Sequence, residues 1–199
     1  MDNIIKFFLY FIFFAVIHSL LATDHVKNKV EKLPGKAFRY YRLLYSLISI
    51  PLFAPALMVW ISYSNSTPVI YVIPQNLYPV VVLVRLGAIG MFGYALLQTD
   101  VLEFIGIKRQ KKKVLVTRGA YAKVRHPLYT AGILLLVTQM QMTLLDLTAV
   151  LLITGYFLIG AFIEEKRLLS TFGDEYRKYQ EQVSMFIPVK WFMKKISRI

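Results

Sequence analysis

Residues 129–163, "YTAGILLLVTQMQMTLLDLTAVLLITGYFLIGAFI", decide the fold of this chain. The stretch is apolar throughout, except for Asp146 and a few uncharged polar side chains. A single helix of that length would rise about 50 Å, well beyond the ~30 Å hydrocarbon layer of a bilayer. Two helices of about 17 residues each, which turn near Asp146, would reach the lower end of spanning length. The stretch therefore predicts a helical hairpin whose two ends emerge on one face of a membrane.

Three more apolar segments precede the hairpin, at Ile4–Ala22, Leu43–Ile61 and Tyr78–Leu97. With 57% hydrophobic residues and a mean hydropathy of +0.53, the composition is that of an integral membrane protein. A cleaved signal peptide is the alternative for the first segment, but its length and the basic cluster after it favour a retained helix. The fold class predicted is therefore all-α integral membrane, with five transmembrane helices. Prolines 51 and 55 should kink the second span, and glycines 87, 90 and 93 should permit close helix contact in the third.

The basic residues alternate with the apolar segments. Nearly all of the 24 Lys and Arg residues fall in three clusters, at 27–42, 108–125 and 166–198, and the net charge is +13. By the positive-inside rule these clusters mark cytoplasmic loops, which place the N-terminus outside and the C-terminus in the cytoplasm. The pattern favours anionic lipid headgroups over nucleic acid as the partner. The run "KRQKKK" at 108–113 is a loop of this kind that could also cover a bound cofactor.

The absence of cysteine excludes disulfides, thiolate metal sites and cysteine nucleophiles, and the spacing of histidines and carboxylates suggests no metal. From Glu164 onward the chain becomes charged, and its apolar side chains recur at helical spacing. We expect a cytosolic amphipathic helix here, with one face formed by Leu168, Leu169, Phe172, Tyr176 and Tyr179.

A polar group stands at the first foot of the hairpin. Pro127 suits the first position of a helix and pushes His126 toward an extended conformation just outside it. The free backbone N–H groups of that helix end favour an anion, and Arg125 would add a fixed positive charge. Taken singly, Arg125 could be half of an ion pair, His126 an N-terminal cap and Tyr129 part of an interfacial aromatic belt.

The second foot of the hairpin carries Glu164 and Glu165. Antiparallel neighbouring helices lie roughly 8–10 Å apart, so these carboxylates should approach His126 and Tyr129. Two segments that are distant in sequence would then form one polar pocket at the cytoplasmic face. We expect a functional site there, because all of these groups occur together.

Two motifs in order also identify a family. "LVTRGAYAKVRHPLYTAG" at 115–132 and "EEKRLLSTFGDEYRKYQEQVSMFIP" at 164–188 resemble the isoprenylcysteine carboxyl methyltransferases and their relatives, which include phospholipid N-methyltransferases and NnrU-like membrane proteins. The resemblance implies an integral membrane methyltransferase that binds S-adenosylmethionine without a Rossmann domain and releases S-adenosylhomocysteine. It implies one membrane domain, with three spans in 1–107 and the cofactor loop, hairpin and cytosolic helix in 108–199.

Site residues follow from the resemblance by matching position. The cofactor site would be lined by Leu115, Val116, Gly119, Tyr121, His126, Pro127, Leu128, Tyr129, Glu164 and Glu165. The residues expected to act in catalysis are Arg125, His126, Tyr129 and Glu165. The leading acceptor is the carboxylate of an isoprenylated cysteine, reached from the bilayer, and the runner-up is a phospholipid or other lipid amine.

One position departs from the family. Gly160 stands where the prenylcysteine enzymes carry an arginine for the substrate carboxylate. Arg85, inside the third span, could supply that charge, or it could snorkel or pair with a polar group. His18 in the first span is more simply bonded to a neighbouring helix. Asp100 and Glu103 follow the third span on the same side and could reach the pocket, but a solvated surface position is favoured over that. A small transporter or membrane scaffold is the non-enzyme alternative, which would place its polar groups at mid-membrane.

Overall fold

The structure is a computed structural model that describes residues 2–32, 37–99, 107 and 114–197. The described chain is mostly helical, and its helices are α1 (Asp2–Ala22), α2 (Asp24–Glu31), α3 (Ala37–Tyr63), α4 (Tyr78–Gln98), α5 (Pro127–Val137), α6 (Leu144–Phe172), α7 (Asp174–Gln182) and α8 (Val189–Ile196). Two short strands, β1 (Val69–Val72) and β2 (Gln141–Thr143), pair antiparallel. The predicted cofactor lid at 108–113, Asp100 and Glu103 lie outside the described residues.

The described residues fall into two compact units. The first contains those of 1–72 and 141–152, with α1 to α3, both strands and the start of α6. The second contains those of 73–100, 112–140 and 153–199, with α4, α5, most of α6 and the C-terminal helices. The candidate site described below lies entirely in the second unit.

Four helical segments are long and apolar enough to cross a membrane: Asp2–Ala22, Tyr40–Ser66, Gln75–Gln98 and Leu144–Phe172. They include the three predicted N-terminal spans and the second arm of the predicted hairpin. The first arm differs from the prediction, because α5 has only 11 residues. At 1.5 Å per residue it covers about 16 Å, roughly half of a hydrocarbon layer. Five full-length helical spans are therefore not observed in the described chain.

The break between α5 and α6 is set at the start of α6. Thr143 Oγ1 accepts a hydrogen bond from Asp146 N at 3.2 Å, and Asp146 Oδ2 accepts one from Thr143 N at 2.9 Å. This reciprocal pattern is a capping box, with aspartate in place of the usual glutamate. The other oxygen of Asp146 accepts hydrogen bonds from Trp60 Nε1 at 2.7 Å and Ser64 Oγ at 2.6 Å. Thr143 is thus the N-cap of α6 and Asp146 its partner in the first turn, which explains a carboxylate in an apolar stretch.

On the other side of this break, the C-terminal end of α5 leaves backbone carbonyls without helical partners, and a membrane interior has no water to hydrate them. Arg85 of α4 donates through Nη1 to Thr138 O at 2.8 Å and to Leu135 O at 3.3 Å. Gln139 Nε2 donates to Leu136 O at 3.0 Å, and the Thr138 amide donates to Leu134 O at 3.1 Å. The arginine that was expected to meet a substrate therefore satisfies the C-terminal end of α5.

We predict that Arg85→Leu destabilises the protein by about 1–3 kcal/mol, because it leaves partly buried carbonyl acceptors without their guanidinium donor. Equilibrium unfolding in mixed micelles measures the change. Gly87→Ala, two residues further along α4, is the matched control and should be near neutral, because no described heavy atom lies within 4 Å of the added Cβ. If the two variants unfold alike, Arg85 does not support α5.

Three other expectations on the spans have clear outcomes. Pro51 and Pro55 lie inside α3, which continues through them to Tyr63. The expected close helix contact at the α4 glycines is wrong for the described chain, because a Cβ on any of them would meet nothing within 4 Å. His18 of α1 is bonded to α3, through Nδ1 to Ser49 Oγ at 2.8 Å and through Nε2 to the Tyr45 hydroxyl, as the simpler interpretation held.

The C-terminal region is divided differently from the prediction. α6 does not end near Ile163 but continues to Phe172, and the chain turns at Gly173, which has a φ of +54°. The five predicted apolar residues do gather in one place. Leu168, Leu169 and Phe172 of α6 pack against the buried Tyr176 and Tyr179 of α7. The predicted amphipathic helix is thus two helices that bury their apolar side chains against each other.

Candidate active site

The site begins where the chain enters α5. Arg125 N donates to Ser184 O at 2.9 Å, and His126 N donates to Met185 O at 3.1 Å. Thr130 Oγ1 in the first turn of α5 donates to Phe186 O at 3.1 Å. The C-terminal segment 184–186 is therefore fixed along the entrance of α5. The segment carries no charged side chain, so the charge and hydropathy patterns of the sequence did not predict its place in the site.

α5 begins at Pro127, as predicted, and His126 precedes it with a φ of −121°. The His126 side chain makes no capping hydrogen bond to this helix, which removes the cap interpretation. Instead, the imidazole points toward α6, and His126 is only 6% exposed. Its ring is therefore held by its contacts with α6.

Arg125 forms a two-pronged ion pair with Glu165. Its Nε lies 2.6 Å from Glu165 Oε1, and its Nη2 lies 3.0 Å from Oε2. The side chains are 10% and 11% exposed. Nη1 also donates to the carbonyls of Gln180 and Val183. The guanidinium is thus occupied by one carboxylate and two carbonyls, as the ion-pair interpretation expected.

Glu165 is the centre of this cluster. Besides Arg125, its carboxylate accepts from Gln180 Nε2 at 2.9 Å and approaches His126 Nε2 at 3.1 Å. Four short contacts to two oxygens nearly exhaust the accepting capacity of a carboxylate. Glu165 therefore orients the His126 ring and joins α5, α6 and α7.

Glu164 differs from its neighbour. Its Oε2 lies 3.7 Å from His126 Nδ1, and its side chain is 49% exposed. The imidazole thus stands between two glutamates, one buried and fully engaged and one open. Of the predicted acidic pair, Glu164 is the residue with room for a ligand.

Aromatic rings line the neighbouring wall. Tyr129 stacks on His126 with centroids 5.6 Å apart, and on its other side it stacks on Phe157 of α6 at 5.2 Å. Phe186 lies 5.6 Å from the His126 ring. A Cβ on Gly160 would lie 3.7 Å from the Tyr129 hydroxyl, so this glycine accepts the tyrosine closely. Tyr129 and Glu164 thus belong to the same cluster, as the hairpin predicted.

Tyr121 lies in the turn before α5, and its backbone carbonyl accepts from the Tyr179 hydroxyl at 2.7 Å. Burial, and secondarily the charge of Glu164, raises the pKa of Tyr121 to about 12. Its hydroxyl is therefore protonated at neutral pH and can donate a hydrogen bond. Burial also raises the pKa of Tyr176 and of Tyr179, so the three phenols stay neutral near the ion pair.

Gly119 has a φ of +64°, and a Cβ there would lie 2.7 Å from Gln98 of α4. The positive φ favours glycine here, and the contact shows that the Gln98 side chain at the end of α4 reaches this turn. Gln98 had no sequence signal, whereas Gln180 and Phe186 lie within the second motif.

The remaining predicted residues lie around the cluster rather than in it. Leu115 packs against Tyr176 and Tyr179, and Val116 and Leu128 are half-buried. Arg85 contacts the far end of α5, some three turns from His126.

These features define a multi-helix membrane protein with a histidine and carboxylate cluster at one end of a short helix. The chain belongs to the NnrU protein family, whose model matches residues 6–186. The match covers the first motif, the second motif as far as Phe186, and all of the candidate site.

Relatives of known activity are methyltransferases. The chain is 33% identical over 109 residues to methanethiol S-methyltransferase of Pseudomonas sp. (strain GM41(2012)), which is 49% of this chain and 42% of the relative. It is 41% identical over 68 residues to the enzyme of that name in Pseudomonas deceptionensis, 34% of this chain and 26% of the relative. It is 37% identical over 89 residues to protein-S-isoprenylcysteine O-methyltransferase of Schizosaccharomyces pombe, 43% of this chain and 37% of the relative. The chain thus spans less than half the length of these relatives, and no solved structure matches it.

Proposed function

We propose that this protein is a membrane methyltransferase that uses S-adenosylmethionine. The observation that carries the proposal is the contrast between the two glutamates. Glu165 is fixed by Arg125, His126 and Gln180, whereas Glu164 stays half-exposed beside His126 and close enough to Tyr121 to influence its pKa. The similarity to methyltransferases with two different acceptors supports a shared donor site.

The residues present fit that donor. Glu164 offers a carboxylate for an α-ammonium group, and the first turn of α5 offers backbone N–H groups for an α-carboxylate. Tyr129, stacked beside His126, is the aromatic residue that would lie next to a sulfonium cation. Arg125, expected to take the carboxylate, is reassigned to structure because its donors already contact Glu165 and two carbonyls.

When bound, S-adenosylmethionine supplies an electrophilic methyl group for an in-line displacement. The chain's own residues would then act by orientation and by excluding water. Glu165 holds the His126 ring, and the ring stack of Tyr129 and Phe157 forms a dry wall along α5 and α6. An acceptor that arrives protonated needs a base, and His126 and Glu164 are the groups within reach.

The sequence motifs, the similar enzymes and the charges at the site together suggest the class of methyl acceptor. A lipidic acceptor, first of all an isoprenylated cysteine carboxylate, is expected from the sequence motifs. A thiol is the second candidate, because the methanethiol enzymes are similar and because Arg125 and Arg85 already serve backbone carbonyls. A thiol would lose its proton to the base, and the resulting thiolate sulfur would take the methyl group as S-adenosylhomocysteine leaves, so no fixed cation is required.

Methyl transfer from S-adenosylmethionine with a labelled methyl group tests this function. Purified protein in nanodiscs is offered a farnesylated cysteine derivative, a short alkanethiol or phosphatidylethanolamine. We expect label in one of the first two acceptors, and loss of that label in His126→Ala. Label in phosphatidylethanolamine alone would support the lipid amine, and no transfer to any acceptor would count against the proposal.

The proposed orientation places the N-terminus outside and the site in the cytoplasm. Reporter fusions at Asn65, between α3 and β1, and at the C-terminus should report opposite sides of the membrane. If both fusions report the same side, the polypeptide from α4 to α6 crosses the membrane an even number of times. The proposed cytoplasmic position of the site would then be wrong. The transporter alternative finds little support, because Arg85 and His18 are bonded to neighbouring helices.

A further inference from the structure

The last described helix, α8, has an apolar face that the described residues leave exposed. Val189, Phe192, Met193 and Ile196 recur at spacings of three and four residues, which places them on one side of α8. They are 52%, 53%, 63% and 71% exposed. Four adjacent apolar side chains exposed to this degree on one helix mark a contact surface.

The opposite side of α8 faces the protein. Trp191 is half-buried, and the ammonium groups of Lys123 and Lys195 lie 5.6 and 5.5 Å from its ring. Lys194 and Lys195 are exposed on the polar side of α8. A short helix that combines an outward apolar face with flanking lysines has the composition of an interfacial helix.

α8 is also attached to the candidate site. The Lys190 amide donates to Ser184 Oγ at 3.0 Å, and Lys190 Nζ donates to Gln180 O at 2.8 Å. That same carbonyl accepts from Arg125, and Ser184 pairs with the entrance of α5. α8 lies beyond the residues matched to the family, which end at 186.

We infer that α8 is an interfacial anchor that binds anionic lipid. Its apolar face enters the acyl boundary and its lysines contact acidic headgroups, which holds segment 184–186 against the entrance of α5. The exposed charges of Lys194 and Lys195 favour an anionic bilayer as the occupant, because acidic headgroups complement them while the acyl boundary takes the apolar face. The assignment does not depend on methyl transfer.

The natural absence of cysteine allows a direct test. Met193→Cys on the apolar face and Lys194→Cys on the polar side each carry one nitroxide label in the full chain. Relative accessibility to oxygen and to a water-soluble nickel complex then reports depth in nanodiscs. With about one-third phosphatidylglycerol, the label at 193 should lie below the phosphates and the label at 194 at or above them.

The charge contribution is tested separately. Each lysine near an anionic surface contributes roughly fivefold to binding. Lys194→Gln with Lys195→Gln in the Met193→Cys protein should therefore lower the inserted fraction about thirtyfold in odds, as should replacement of phosphatidylglycerol by phosphatidylcholine. A label at 193 that stays in water overturns the anchor. A label equally deep in both lipids overturns the requirement for anionic headgroups.

Discussion

Replacing Arg125 by methionine should lower the free energy of unfolding by about 3–5 kcal/mol, the largest stability change expected in this protein. The substitution leaves the largely buried Glu165 carboxylate without its arginine partner, and it also frees the carbonyls of Gln180 and Val183. Unfolding in mixed micelles, followed by circular dichroism, measures the loss. A change below about 1 kcal/mol would contradict the central position of this ion pair.

A double-mutant cycle separates the pair from its surroundings. Arg125→Met combined with Glu165→Met removes both charges, so it should recover a large part of the lost stability. If the double variant is as unstable as the sum of the singles, the two side chains do not act as a pair. Arg177→Met is the matched control, because that exposed arginine lies 4.0 Å from exposed Asp174 and should contribute little.

The second large effect concerns the two adjacent glutamates. We expect substitution of Glu164 to weaken ligand binding and substitution of Glu165 to lower stability. Glu164→Gln should weaken binding of S-adenosylhomocysteine roughly 5- to 30-fold, because a half-exposed charge-assisted hydrogen bond contributes about 1–2 kcal/mol. Its unfolding should stay close to wild type. Isothermal titration and unfolding on the same preparations provide both values.

Glu165→Gln should instead reduce stability first, because it removes the charge that Arg125 requires. Binding by the folded fraction would fall only through loss of His126 orientation. If both variants lose binding equally and keep wild-type stability, Glu165 contacts the ligand directly. Unchanged binding in Glu164→Gln would remove Glu164 from the site.

The sequence was sufficient for the large features of the second unit. The apolar stretch 129–163 is broken into two antiparallel arms, and Pro127 starts the first arm because its missing N–H costs nothing there. The approach of His126 to the acidic pair followed from that geometry alone. These features depend on local chemistry and on helix spacing, which one sequence carries.

The length of α5 could not be predicted in the same way. Hydropathy does not distinguish an apolar helix from an apolar extended segment, and here β1, from a distant loop, pairs with β2. Arg85 makes the early end of α5 possible by taking its carbonyls, a contact across some fifty residues. The separate roles of Glu164 and Glu165 likewise depend on Gln180 and on carbonyls of the C-terminal segment.

The central claim is that His126, Tyr129 and Glu164 form a site for a methyl donor. Titration of S-adenosylhomocysteine into monodisperse wild-type protein in detergent tests it most directly. We predict saturable heat for one site per chain, which is weakened in His126→Ala and in Glu164→Gln. Folded wild-type protein that gives no saturable binding would contradict the account.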